Sequence, residues 1–448
     1  MLLSTRGNMS YAKISVLAFF TIIMIGTFLL SLPISSKSGE FTPFIDALFT
    51  ATSATCVTGL VVYDTYNHFS VFGQIVILGL IQIGGLGFMI IATMFLLALR
   101  KRIGIKERGL LKDSVNSIHI GGVVRLTKHI IVGTFIFEGI AAIILAIIFN
   151  REMEISASIF NGIFHSISAF CNAGFDLMGR FNEYSSLTRY SNDTVMNIVI
   201  LTLITIGGIG FIVWEDIYRH RHKFKYYQLH TKIVLCTTLF LILCSSILFY
   251  MLEANNLLEN ISVKEKILSS LFHAISPRTA GFNTVDTTSL SEGSKLLTII
   301  LMVIGGNSGS TAGGIKTTTF VVLILSVISS VRYSDELNIF GRRLEYNIIK
   351  RASSVITIYI SSALVAMILI SLIQPELVLS DIIFEVFSAI GTVGLSTGIT
   401  SSLTTLSKLI IIILMFCGRI GSLAVVMAVA HNKKNTLVKS PIEKIIIG

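Results

Sequence analysis

A peptide carbonyl can bind a cation when nothing else in the chain bonds it, and one stretch of this 448-residue sequence is suited to expose several. Phe387-Ser-Ala-Ile-Gly-Thr-Val-Gly-Leu395 reads as a short apolar helix that stops at Gly391-Thr392-Val393-Gly394. Glycine accepts dihedrals that other residues refuse, so the chain after the helix can turn its oxygens to one side. Four such strands around one axis make rings of oxygens able to replace the water around a potassium ion. A chain with one strand would have to form a tetramer. This chain carries four.

The other copies stand in step. Phe49 to Gly59 reads FTATSATCVTG, Phe164 to Gly174 reads FHSISAFCNAG, and Phe272 to Gly281 reads FHAISPRTAG. Each opens with Phe and closes on Gly followed by Leu or Phe. The closing glycines Gly59, Gly174, Gly281 and Gly394 are 115, 107 and 113 residues apart. Even spacing of this kind marks an internal repeat. The ion ligands are expected to be main-chain oxygens of Val57, Thr58 and Gly59, of Asn172, Ala173 and Gly174, of Thr279, Ala280 and Gly281, and of Thr392, Val393 and Gly394. Because the four strands differ, the rings are only roughly four-fold.

Each strand needs a helix to deliver it. Phe41–Ala54 spans roughly 18 Å as a helix, too short for a hydrocarbon core of about 30 Å. It must enter, stop midway and return. Ile155–Ala169, Val263–Ser276 and Leu379–Ile390 repeat the pattern. Outer helices are expected at Ile14–Leu32, His129–Phe149, Ile233–Leu252 and Val355–Leu372. Inner helices are expected at Phe72–Leu99, Val195–Ile217, from Lys295 onward, and Leu406–Ala430. Two inner helices share a motif, Ile83-Gly-Gly-Leu-Gly-Phe88 and Ile206-Gly-Gly-Ile-Gly-Phe211. The third is interrupted by Ile304-Gly-Gly-Asn-Ser-Gly-Ser-Thr-Ala-Gly-Gly-Ile-Lys316, where each glycine costs about 1 kcal/mol against alanine in a helix. Non-helical backbone at membrane depth survives where protein buries it or it lines water. In the fourth, Arg419 takes the place of the glycines.

The expected fold is therefore an all-α membrane protein. Four helix–pore-helix–helix repeats (1–112, 113–228, 229–346 and 347–448) surround one pseudo-four-fold pore, with eight transmembrane helices. Composition agrees: 53% hydrophobic, 13% charged and a mean hydropathy of +0.80, against about 25% charged in soluble domains. The net charge of +10 reads as topology rather than nucleic-acid binding, since the basic residues cluster in loops at 100–112, 219–225, 342–351 and 433–439. Loops after the strands hold only Arg180 and Arg189. Basic loops face the cytoplasm, which puts both termini inside and the mouths of the strands outside. Ile14 to Pro33 reads as a spanning helix and not a cleaved signal, for want of an A-x-A site.

Four half-helix ends, each with about half a negative charge, would favour a cation at a shared centre. Arg419 at mid-membrane reads either as a barrier below the strands or as a clamp on carbonyls of the 304–316 loop. Glu138 reads as a proton or sodium site, or as a partner of a neighbouring helix. His165 and His273 recur at one place in two half-helices and read as repeat ancestry and hydrogen bonding. Gly309 to Thr317 nearly matches a phosphate-binding loop, but Ile315 intervenes before Lys316 and no strand precedes it. Cys56, Cys171, Cys236, Cys244 and Cys417 form no C-x-x-C pair and read as packing residues. Nothing suggests an enzyme. A carrier with inverted repeats would place broken helices in opposing halves; here the half-helices all enter from one side.

The closing glycines, SPRTAGFNT at 276–284, IGGNSGSTAGGIKT at 304–317 and Arg419 together resemble the Trk/Ktr/HKT superfamily of potassium uptake proteins. The resemblance covers nearly the whole chain and is closest to the bacterial Ktr-type membrane subunit. It implies potassium uptake across a bacterial cell membrane, by a homodimer with one pore per subunit set in membrane lipid. It also implies a cytoplasmic ring of nucleotide-binding regulatory subunits on the basic loops, with no nucleic acid and no cofactor in this chain. The family gate carries over onto Gly305, Gly306, Asn307, Ser308, Gly309, Gly313, Gly314 and Lys316, with Arg419 beside it. The tail at Pro441–Ile447 would help to hold the dimer. Asn172-Ala173 leaves sodium open as a permeant or coupled ion.

Overall fold

The computed structural model describes residues 11–99, 104–114, 122–221, 223–332 and 337–421. The proposed dimer tail Pro441–Ile447, the end of the last inner helix at 422–430 and the basic stretches 100–103 and 433–439 lie outside the described residues. One order recurs four times along the chain: a long helix, a short helix, an extended segment and a broken or glycine-ended helix.

The long helices are Tyr11–Ser31, Val123–Phe149, Leu229–Glu253 and Tyr346–Ile373. Each contains a window long and apolar enough to cross a membrane. Their large apolar side chains, among them Phe28, Ile143, Phe240 and Leu372, are exposed on the periphery. The interior holds many small polar groups beside its apolar core, including Thr52, Ser53, Thr58, Ser168 and Thr279. Soluble domains do not expose large apolar side chains in such continuous bands, and the chain is an integral membrane protein.

The short helices are Phe44–Cys56, Ile155–Cys171, Val263–Ile275 and Leu379–Gly391, within two or three residues of expectation. Asp46, Glu265 and Asp381 stand in three of the first turns, where the helix dipole favours negative charge. A buried phenylalanine stands at a matching place in each helix: Phe49, Phe164, Phe272 and Phe384. The fourth corrects the sequence register, which opened that copy at Phe387. Phe387 is half-buried, whereas Phe384 stands ten residues before its glycine, as Phe49 and Phe164 do before theirs.

The inner helices also differ from expectation. Those expected over 72–99 and 195–217 are each broken, into Val71–Leu86 with Phe88–Ala98 and Thr194–Ile209 with Phe211–His220. The second pair is bent by 96°. Gly87 (φ 85°) and Gly210 (φ 106°) make the breaks, in backbone conformations that L side chains resist. The break at Gly210 frees the N–H of Phe211, which donates to Gly309 O at 2.7 Å. The third inner helix splits into Glu292–Val303 and Thr317–Val331 around the glycine-rich run, and the fourth, Thr405–Ile420, ends at Gly421 (φ 95°). All four start on a side-chain cap, from Ser70, Asp193, Ser291 and Thr404, each satisfying an N–H the helix leaves free.

Packing runs in a circle. Lys295 of the third inner helix pairs with Asp381 of the fourth short helix at 3.1 Å. Lys408 of the fourth pairs with Asp46 of the first short helix at 2.7 Å. That last pair joins the two ends of the series.

Gly210→Ala tests the break. A Cβ there would lie 2.8 Å from Ser308 O in a disfavoured conformation. The thermal unfolding midpoint should fall by the equivalent of about 1–3 kcal/mol. Gly139→Ala, in open space on a long helix, should be neutral or stabilising by up to about 1 kcal/mol.

Candidate functional site

The four closing glycines meet. A Cβ added to Gly59 would lie 3.1 Å from Gly174 Cα; one on Gly174, 3.0 Å from Gly281 Cα; one on Gly281, 3.3 Å from Gly394 Cα; one on Gly394, 2.9 Å from Gly59 Cα. The nearest atom to each would be the carbonyl oxygen before the next glycine: Ala173, Ala280, Val393 and Thr58 in turn. Four backbone oxygens and four glycines therefore surround one centre, and any side chain there would fill it.

Each extended segment leaves its helix by a tight turn. Val57, Asn172 and Thr392 sit at φ between 51° and 59° and Thr279 at 85°. Val57 N donates to Ala54 O and Thr58 N to Ser53 O; Asn172 with Ala173, and Thr392 with Val393, repeat this pair of bonds. Such a left-handed ending is usually given to glycine; Asn172 tolerates it, while the β-branched Val57, Thr279 and Thr392 hold positive φ at a cost of order 1–3 kcal/mol each. A serine braces every segment. Ser53 and Ser388 accept from the N–H of Gly59 and Gly394, both at 3.1 Å. Ser168 and Ser276 donate to the carbonyls of Phe175 and Phe282. Sequence reasoning missed these serines. Their signal is position: six residues before the glycine in three copies, five in the third.

Inner-helix glycines let the backbones approach. A Cβ on Gly84, Gly207 or Gly418 would overlap the carbonyl oxygen of Thr55, Phe170 or Ile390, each four residues before its ring glycine.

The run 304–316 lies against the half-helix side of the ring. A Cβ on Gly313 would overlap the hydroxyl of Thr392, and one on Gly314 would be 3.2 Å from Gly391 O. Asn307 N and Thr311 N donate to Gly208 O and Gly207 O at 3.1 and 3.2 Å. Ser310 Oγ donates to Asn307 O, and the hydroxyl of Thr317 to Gly305 O and Gly306 O. Ser308 is hydrogen-bonded to Thr318. Lys316 Nζ donates back to Ala312 O at 2.7 Å and Gly313 O at 3.2 Å, an arrangement turned inward and not toward a nucleotide. Arg419 donates to Thr311 O, Gly84 O and Gly85 O, tying the run to the first inner helix.

On the opposite side all four glycines open on a cavity of about 310 Å³. Asp64, Asp176 and Asp286 line it, and no lysine or arginine does. Burial pushes Asp176 up to about 7, with Asp64 adding to the rise against a bond from Met178 N–H. Burial also pushes Asp286 up, but bonds from Thr288 and Ser289 outweigh it and hold that carboxyl below its ordinary value.

The remaining candidates stay apart from the ring. His165 is bonded to Asn161 O at 2.8 Å and His273 to Thr298 at 2.7 Å. Glu138 accepts from Gln82 at 3.2 Å, the neighbouring-helix pairing. No group of three potential metal-binding side chains occurs among the described residues.

Fold and site thus define an integral membrane protein whose centre is backbone oxygen rather than reactive side chain. The chain belongs to the TrkH family, cation transport proteins, which matches residues 8–438. It is 43% identical over 427 residues to Ktr system potassium uptake protein B of Bacillus subtilis, covering 95% of this chain and 94% of the relative. It is 39% identical to potassium/sodium uptake protein NtpJ of Enterococcus hirae, covering 99% and 98%. The crystal structure of the potassium transporter TrkH from Vibrio parahaemolyticus has the same fold, with a TM-score of 0.74 at 18% identity over 95% of this chain and 86% of that one. These are ion transport proteins, not enzymes.

With its carboxyl raised to about 7, Asp176 gains a proton as pH falls through that range, so the cavity should hold cations more weakly in acid. Thallous-ion binding to the purified protein should fall as pH drops from 8 to 6. Asp176→Asn should show the weak binding at both values.

Proposed function

We propose that the chain forms a potassium uptake pore in which Val57–Gly59, Asn172–Gly174, Thr279–Gly281 and Thr392–Gly394 are the filter. The observation that carries this reading is the closed ring of Gly59, Gly174, Gly281 and Gly394 with a carbonyl oxygen beside each. Carbonyl oxygens around a centre replace the hydration shell of a cation. The acidic mouth concentrates cations before them. In this reading the four long and the four inner helices make eight crossings, both termini are cytoplasmic, and the repeats divide near 112, 228 and 346. Membrane potential drives the ion inward, and no cofactor takes part.

The 304–316 run is the gate, since it packs against Thr392 and is held there by Arg419. Arg419 serves as clamp and as positive barrier together. The chain works as a homodimer with a cytoplasmic ring of nucleotide-binding subunits on its basic loops. Support comes from the family resemblance and from a relative that bears the name of a Ktr system. A second reading, sodium coupling or sodium transport, is favoured by the relative named a potassium/sodium uptake protein and by the unlike strand Asn172-Ala173.

Expression in a host lacking potassium uptake should restore growth at low potassium, and vesicles should take up rubidium in preference to sodium. Gly281→Ser puts a side chain against Val393 O at φ 78° and should lower that preference at least several-fold. Unchanged discrimination would remove Gly281 from the filter.

Arg419→Ala should raise rubidium uptake several-fold while leaving ion preference intact. If uptake and its regulation both stay at the wild-type level, Arg419 is no barrier.

A further inference from the structure

Arg278 lies three residues before Gly281, just beyond the carbonyl end of the half-helix Val263–Ile275. It is 8% exposed. Its guanidinium makes one long hydrogen bond, Nη2 to Thr238 Oγ1 at 3.5 Å, and Nε has no partner. No carboxylate pairs with it among the described residues. A buried charge without a counter-charge is costly, and the half-helix dipole offsets part of that cost. Asn307, in the 304–316 run, presents the complementary group. Its Nδ2 donates to Gly208 O at 3.0 Å, while Oδ1 has no partner.

Arg278, Asn307, Gly306, Gly208 and Thr238 line one cavity of about 20 Å³. A water molecule needs roughly 10–15 Å³ by this measure and two or more polar partners. The residues that carry the unpaired donor and the unpaired acceptor thus line one space of single-water size. We infer that a buried water joins the Arg278 guanidinium to Asn307 Oδ1, making Arg278 a latch that ties the 304–316 run to the third filter strand. Arg278 touches no ring oxygen and is a positioning residue. Its next neighbour is the strained Thr279, so the latch connects the conformation of that strand to the placement of the run. The effect on transport rests on the gate reading above; the physical coupling does not.

Hydrogen exchange of the 304–316 amides, measured by mass spectrometry on the full chain in bilayers, tests the coupling. Arg278→Met, similar in length without a donor, should speed exchange about tenfold, the size expected for one lost bond to a charged group. Arg278→Lys, which restores charge and donor, should return it to within about twofold of wild type. In an Asn307→Leu background Arg278→Met should add nothing. If Arg278→Met does not accumulate, Arg278→Gln, too short to reach the water, takes its place with the same readings. Unchanged exchange overturns the latch, as does an equal acceleration with and without Asn307. If exchange couples as expected but rubidium flux ignores every variant, the latch stands and the gate reading falls.

Discussion

A carbonyl oxygen offered to the centre of a ring is withheld from every helix and sheet, and the rest of this structure answers that constraint. Buried backbone acceptors are nearly always paired. Leaving four beside one centre requires a backbone that is extended, close to its neighbours and held by something other than itself. Closeness comes from Gly59, Gly174, Gly281 and Gly394, where any Cβ would meet the next strand. The hold comes from Ser53, Ser168, Ser276 and Ser388, whose hydroxyls take up N–H and C=O groups the segments cannot pair internally. Positive φ at the β-branched Val57, Thr279 and Thr392 is what remains as strain.

A ring built from one chain must also close on itself. Its strands need not be identical, because the ring uses the backbone and leaves side chains free to differ. This explains how Asn172-Ala173 and Thr392-Val393 occupy equivalent places. Closure depends on specific contacts between neighbours, and the two ion pairs from inner helix to next short helix serve it. Both are largely withdrawn from solvent, where partial burial strengthens attraction. Lys408–Asp46 joins the fourth repeat to the first, alongside the approach of Gly394 to Gly59 and the bonds from Arg419 to Gly84 and Gly85.

Much of this was legible in the sequence, and the boundary of legibility has physical causes. Helix length against membrane thickness gave away the short helices, and repeat spacing gave away the ring glycines. The non-helical run at 304–316 and the lone charge of Arg419 violate so many local rules that they stand out unaided. The serine braces did not, since serine is common and its bonding depends on the turn that follows. Nor did the breaks at Gly87 and Gly210: glycine inside an apolar helix is tolerated as often as it interrupts. Phe384 was overlooked for Phe387 because both lie in one apolar helix and only packing separates them. Lys408–Asp46 spans 362 positions and leaves no local trace.

The breaks and the glycine-rich run are better understood as one structure than as two irregularities. Backbone outside a helix at membrane depth must find partners within the protein. The run finds them where the second inner helix comes apart: Gly207 O and Gly208 O accept from it, and Phe211 N, freed by the bend at Gly210, donates to Gly309 O. Arg419 adds a bond from the fourth repeat. Each ring segment, by contrast, is tied to its own half-helix by paired backbone bonds, a serine, or both. The run takes its partners from two other repeats, Gly207, Gly208 and Phe211 of the second and Arg419 of the fourth, so its placement depends on how those helices sit, whereas each ring segment keeps its place by bonds to its own half-helix.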